Sequence, residues 1–338
     1  MIRTTLVGSL PKPGWLAEPE RLWPAWAKSG PELIAAQRDA VRLAVFEQER
    51  AGIDIISDGE QSRRHFVHGF LESVDGIDFA KIVRKGIRAN RYQADLPTVT
   101  GPLKRSGPVH VEEVTFFRSL TGSKIKFTLP GPMTIVDTVN DEYYGGDRKR
   151  MAFEVAKVLN AEIRDLVEAG VDLIQLDEPA FNVFLDEAVE WGIDALDAAF
   201  EDVACTKAVH ICYGYGIKAN IEWKATLGPS WDQYGHLLPA LAESSVDQIS
   251  LELANSGVPA HVFGLAKDKE IAVGVIDVAS DQVETPEHVA ATLRRALQFV
   301  SPDRLLASTN CGMAPMKREI AYAKLHAIVY GTELINAN

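Results

Sequence analysis

The feature that most constrains the fold is a regular alternation between short apolar runs and longer amphipathic stretches. Eight runs recur along the 338 residues: TTLVGS (4–9), IDIISDGE (53–60), KFTLPGP (126–132), VDLIQLDEP (171–179), AVHICYG (208–214), VDQISLE (246–252), EIAVGVID (270–277) and RLLASTNCG (304–312). Between most of them lie segments such as AFEVAKVLNAEIRDLVEAG (152–170) and PEHVAATLRRALQFV (286–300). Their apolar residues fall at i, i+3, i+4 and i+7, the pattern of a helix packed on a sheet. Gly170 reads as a helix C-cap ahead of a strand. Repeated strand–helix units imply parallel strands joined by right-handed crossovers. Eight of them at this length predict an α/β fold, a (β/α)8 TIM barrel spanning residues 1–338 as a single catalytic domain. A doubly wound open sheet is the alternative, but no G-x-G-x-x-G opens the chain. Residues 75–112 break the alternation and read as a β-rich insertion before a helix over 111–121. The segment 11–31, rich in Pro and Trp, is expected to wrap the outside of the barrel.

Chemistry-bearing residues collect at the C-terminal ends of the runs, which in a barrel form one face and carry the active site. His210 and Cys212 are two apart in a strand, so they point the same way. Cys311 ends the last run and Glu252 an earlier one. Imidazole, thiolate and carboxylate are the ligands of zinc, so His210, Cys212, Glu252 and Cys311 form a candidate zinc site. Taken singly, a His-x-Cys pair is core packing and a lone cysteine a small buried hydrophobe; their shared rim joins them. Cys205 precedes its strand and reads as structural. The remaining histidines show no pairing and read as surface or hydrogen-bonded residues.

Asp58-Gly59-Glu60 and Asp177-Glu178-Pro179 also end strands. Buried acids are costly unless paired, and one partner is an amino acid's ammonium; the plainer partner is Arg63 or Arg64. Val7-Gly8-Ser9 offers backbone N–H groups and a hydroxyl to a carboxylate. Asp277 is a further candidate on the rim. A thiophilic metal, an ammonium-binding acid and a carboxylate notch together suit a thiol amino acid, with the metal holding its sulfur as nucleophilic thiolate.

Composition narrows the partners. The chain is 46% hydrophobic with net charge −12, so phosphate backbones and anionic membranes are repelled. No run approaches the roughly 18 apolar residues of a membrane span, and the opening lacks the roughly 7–15 of a secretory leader. Three cysteines give no disulfide framework, and a reduced cytoplasmic location is expected.

TTLVGSLPKP (4–13), ISDGEQSR (56–63), LPGPMTI (129–135), LIQLDEPA (173–180), VHICYG (209–214), ISLE (249–252), GVIDVAS (274–280) and STNCGM (308–313) occur in an order that resembles one family. It is the catalytic C-terminal half of cobalamin-independent methionine synthase, within the barrel superfamily that includes uroporphyrinogen decarboxylase. The resemblance implies zinc on His210, Cys212, Glu252 and Cys311. It places the homocysteine carboxylate on Val7, Gly8 and Ser9 and the amino group on Glu60 and Asp177. It implies methyl transfer to homocysteine, giving methionine. Other features differ. The half that helps bind polyglutamylated methyl-folate has no counterpart in these 338 residues. The family's pterin-stacking tryptophan falls near Thr138, a folate-contacting glutamate on Val183, and its proton-donating histidine on Ala279. The chain is similar to short, core-type members, and through HICYGYGIKAN (210–220) and TNCGMAP (309–315) to a proteobacterial short form. A corrinoid or a separate partner protein is then the expected source of the methyl group. Alkylation of another thiol such as coenzyme M, and a non-catalytic homocysteine-presenting subunit with structural zinc, are the alternatives.

Overall fold

A computed structural model describes residues 1–337. Each apolar run overlaps one strand of a parallel barrel: β1 Arg3–Thr4, β2 Ile55–Ser57, β3 Lys124–Pro130, β4 Leu173–Asp177, β5 Thr206–Ile211, β6 Gln248–Glu252, β7 Glu270–Ile276 and β8 Leu305–Thr309. The sheet runs β1-β8-β7-β6-β5-β4-β3-β2, and a parallel bridge between Thr5 and Ile55 closes it. The (β/α)8 barrel expected from the sequence is therefore the fold.

Register sets the rim level. Pro130 lies beside Asp177, Asp177 beside His210, His210 beside Ser250, and Glu252 beside Gly274. Strand alternation then sorts the side chains. Ile125, Phe127, Leu129, Ile174, Leu176, Val209 and Ile211 are at most 1% exposed and belong to one apolar core. Each contributes about 1.5–3 kcal/mol by leaving water. The intervening positions are polar and also buried, at most 6% exposed: Lys126, Thr128, Gln175, Asp177, His210, Ser250 and Glu252. The barrel interior is thus a polar layer jacketed by an apolar one.

Helices with local stop and start signals cover the strands. Gly30–Ala51 ends at Gly52, whose positive φ of 87° lets its N–H reach the carbonyls of Gln48 and Glu49. Arg148–Glu168 starts on Asp147, which accepts from the Arg150 N–H, and Pro286–Ala296 on Thr285, which accepts from the His288 N–H. A 3-10 turn, Ala260–Ala266, stands between β6 and β7. The outer helix Arg318–Asn336 returns to the first strand: Ile2 and the Asn336 side chain exchange two hydrogen bonds of 2.8 and 2.9 Å. Among the described residues no helix is long and apolar enough to cross a membrane.

The β-rich insertion is a hairpin of Val74–Ile87 and Tyr92–Arg105, followed by the helix Val111–Ser119. Register breaks at Asp75/Ile77 and Asp78/Ile82 bend it. Its turn holds Arg88, Ala89 and Asn90 at φ of 52°, 54° and 63°, three consecutive non-glycine residues in a disfavoured region. The segment 11–31 departs from expectation. Leu16 and Ala17 do pack outside on Ala40. Leu22 and Trp23, however, fold over the barrel mouth and line the cavity there, because Trp23 stacks on the His65 ring at 4.3 Å.

Candidate metal centre and the cavity above it

The cavity at the barrel mouth is lined by Val7, Glu60, Asp177, His210, Cys212 and Cys311 from the strand ends. The ligand atoms of His210, Cys212 and Cys311 lie within 4.8 Å of one another, all three residues buried. Cys212 Sγ and Cys311 Sγ are 3.2 Å apart. His210 Nδ1 meets Ser250 Oγ at 2.9 Å, while the buried Nε2 has no protein partner. Ser250 thereby fixes the ring and leaves Nε2 for something else.

The electrostatics fit a cation. The thiol proton of Cys311 toward Cys212 holds the Cys212 thiol well below its ordinary value, against the effect of burial, and His210 adds to this. Burial and the neighbouring Cys212 push Cys311 well up. Burial opposes charge on His210, but the Cys212 thiolate outweighs it and raises the imidazole. The pair thus carries one negative charge, on Cys212, and one proton, held on Cys311. Two thiols and an imidazole with an orphaned nitrogen are a soft donor set.

Glu252 stands beside this group and outside it. Its carboxylate accepts from Lys224 Nζ at 2.6 Å and from the Tyr213 N–H at 3.2 Å. Asp277 is spent on the Ala279 N–H and on Asn255 and does not line the cavity. Cys205 lies apart, its thiol toward the Thr206 carbonyl.

Each acidic pair divides its labour. Asp58 takes a two-pronged bond from Arg63 at 2.8 and 3.0 Å, both residues buried; here the plainer reading holds. Glu178 accepts from the Met133 and Thr134 N–H groups at 2.8 Å and from the Thr134 hydroxyl, capping the helix Pro132–Asp137. Gly131 permits this, since a Cβ there would lie 2.3 Å from the Glu178 carboxyl carbon. Glu60 and Asp177 face the cavity instead. Glu60 sits at φ 55°, strain of the kind that persists where surroundings impose it, and its Oε1 accepts from Thr128 at 3.1 Å. Burial, with Glu60 adding, raises Asp177 to about 7 although His210 pulls the other way.

Val7-Gly8-Ser9 crosses the floor. A Cβ on Gly8 would lie 3.1 Å from Glu60 Oε1, so the notch and the acid are neighbours. The N–H groups of Gly8 and Ser9 have no partner among the described residues, whereas the Val7 N–H is bound to Thr309 Oγ1.

The roof comes from elsewhere. Ile87, Arg88, Arg91 and Tyr92 of the hairpin, Leu22 and Trp23, His65, Phe66, His68, Thr138, Tyr215 and Asn220 are among the residues that line the cavity there. Arg88 pairs with Asp137, and Arg91 lies 3.2 Å over the Trp223 ring. His65 and Tyr215 were not legible as cavity residues. Among the scattered histidines, His65 is 5% exposed; its Nδ1 accepts from the Val67 N–H at 3.4 Å, as expected of a hydrogen-bonded ring, while its Nε2 has no partner. The H-x-x-H spacing of His65 and His68 beside a strand-end acid was the available signal.

Residues 1–333 match the family model described as cobalamin-independent synthase, catalytic domain. A methionine synthase of Sulfolobus acidocaldarius is 36% identical over 337 residues, 99% of this chain and 92% of that one. The solved structure of a B12-independent methionine synthase from Shewanella sp. W3-18-1, in complex with selenomethionine, superposes with a TM-score of 0.98 at 51% identity, over 100% of this chain and 98% of that one. A methyltransferase from Methanosarcina mazei, 14% identical, shares the fold with a TM-score of 0.66 over 99% of this chain and 94% of that one.

Proposed function

The chain belongs to the cobalamin-independent synthase catalytic-domain family, methyltransferases of the methionine synthase type, and from that premise we propose that it uses zinc to methylate L-homocysteine. His210, Cys212 and Cys311 would hold the ion, with Glu252 as the fourth ligand. The observation that carries this is the meeting of two thiols and an orphaned imidazole nitrogen beside two cavity-facing acids. Zinc bound there would hold an incoming thiol deprotonated near neutral pH.

The chain's own residues supply orientation. Glu60 and Asp177 take the ammonium of homocysteine. The free N–H groups of Gly8 and Ser9 take its carboxylate, with the Val7 carbonyl alongside. With both ends of the amino acid fixed, its sulfur is aimed at the metal and its far side at the roof. The selenomethionine held by the Shewanella relative is a product analogue of the same shape. Coenzyme M offers a sulfonate and no ammonium, so the two acids favour the amino acid.

The donor enters under the roof. Thr138 lines the cavity where a pterin-stacking tryptophan would stand, and Ala279 offers no acid. A donor whose leaving group departs without a proton, a corrinoid brought by its own carrier, suits such a site better than free methyl-folate.

The test is made on purified protein loaded with zinc. One zinc per chain, lost in Cys311→Ser, and homocysteine binding that shifts the sulfur-to-metal absorption of the cobalt-substituted form are expected. Methionine should form from methylcobalamin or a methylated corrinoid protein in preference to methyl-folate. Failure to retain zinc, or homocysteine binding that leaves the cobalt spectrum unmoved, would sink the reading.

A further inference from the structure

Lys126 is 1% exposed inside the barrel and makes no ion pair among the described residues. Burying an unpaired amine is expensive, and a methionine would fill the same space. Its partners are two oxygens: the Leu6 carbonyl, and Gln175 Oε1 at 3.0 Å. The other end of the same amide donates from Nε2 to the Val7 carbonyl and to Asp177 Oδ1, each at 2.8 Å.

An amide can be turned end for end. Here the turn is forbidden from both sides. An ammonium has no lone pair, so it demands the oxygen of Gln175. The Val7 carbonyl never has a proton to give and the Asp177 carboxylate has none once ionised, so they demand the nitrogen. Reversal would set an oxygen against two acceptors and an N–H against a cation. One side chain therefore ties the strand that carries the carboxylate notch to the acid that takes the ammonium.

We propose that Lys126 is a positioning residue for homocysteine, acting through Gln175 to hold the Val7–Ser9 notch and Asp177 at the separation that an α-amino acid requires. This rests on the homocysteine reading above. The ammonium and carboxylate of the substrate sit on one carbon, so their two receptors tolerate little relative movement. Lys126 touches neither group; it fixes the residue that fixes both.

The experiment compares two thiols by calorimetry on zinc-loaded protein. Homocysteine uses the notch and the acids; 3-mercapto-1-propanol has neither ammonium nor carboxylate and meets only the metal. Lys126→Met and Gln175→Leu should each weaken homocysteine about tenfold and leave 3-mercapto-1-propanol unchanged. The double variant should be no weaker than the worse single one, because both act through one amide. Thermal melting and zinc content identify a misfolded variant, and either single variant then suffices. Wild-type affinity for homocysteine in both variants, equal weakening of both thiols, or additive losses would each overturn the proposal. Failure of the wild type to bind homocysteine at all would instead remove the functional reading, and this proposal with it.

Discussion

The wall of the cavity is carried by strand ends, and its roof by segments that interrupt the barrel. On the wall, His210, Cys212, Cys311, Glu60 and Asp177 come from β2, β4, β5, β8 and the residues just beyond them, and parallel register sets their heights. On the roof, the hairpin turn holds three residues at positive φ, and Trp23 rests on His65. A wall built this way has little freedom to vary. A roof built of insertions can change without unmaking the barrel. On the proposed reading, recognition of the thiol amino acid would belong to the fold, and recognition of its reaction partner to what was added to it.

The largest effect should fall on the wall. Cys212→Ser or Cys311→Ser should lower methionine formation by about a thousandfold or more, with zinc lost, since a thiolate ligand is gone. Cys205→Ser should retain zinc and activity; an equal loss there would break the distinction. Asp177→Asn or Glu60→Gln should come next, raising the homocysteine dissociation constant about 10- to 100-fold by removing a charge-assisted bond. Gly131→Ala tests the wall's rigidity. Its Cβ meets the Glu178 side chain, and the unfolding midpoint should drop by the equivalent of about 2 kcal/mol.

The roof should behave otherwise. Arg91→Met or Trp23→Ala should leave zinc content and homocysteine affinity within about twofold while slowing turnover with the methyl donor about tenfold, one charged contact's worth. Loss of homocysteine binding there would merge the two regions. The smallest effect is on pH. Burial lowers Lys126 to about 7 from 10.5. Between those values the unfolded chain holds the proton that the folded one releases, so wild-type stability should gain on Lys126→Met as pH rises from about 7 to 10. Below pH 7 both states are protonated and the difference should be flat. Melting curves of the two proteins across that range check the sign.

Legibility in the sequence followed the same division. The alternation of runs and helices announced every barrel strand, because period and length are local properties. The rim residues were readable because parallel register carries strand ends to one face. The splitting of each acidic pair was not: Arg63 could be named as a partner, but only the fold gives it Asp58 and leaves Glu60, and only the fold brings the start of a helix to Glu178. Lys126 and Gln175 hid inside runs that read as plain strands; their meaning lies in a contact across 49 positions. The path of residues 11–31 escaped because Trp23 has no apolar period to fix it and finds its place on His65.

The first strand is only two residues long and is held by the last, β8, and by the final helix through Asn336. During synthesis the residues around Val7 emerge early, yet their partner Thr309 follows 302 positions later. Cys212 likewise waits 99 positions for Cys311. If the site holds zinc and homocysteine as proposed, a nascent chain on the ribosome could neither capture the ion nor seat the amino acid until almost its whole length had been translated. On that reading metal loading would be a checkpoint on completed molecules, and a truncated product would lack the grip needed to compete for zinc.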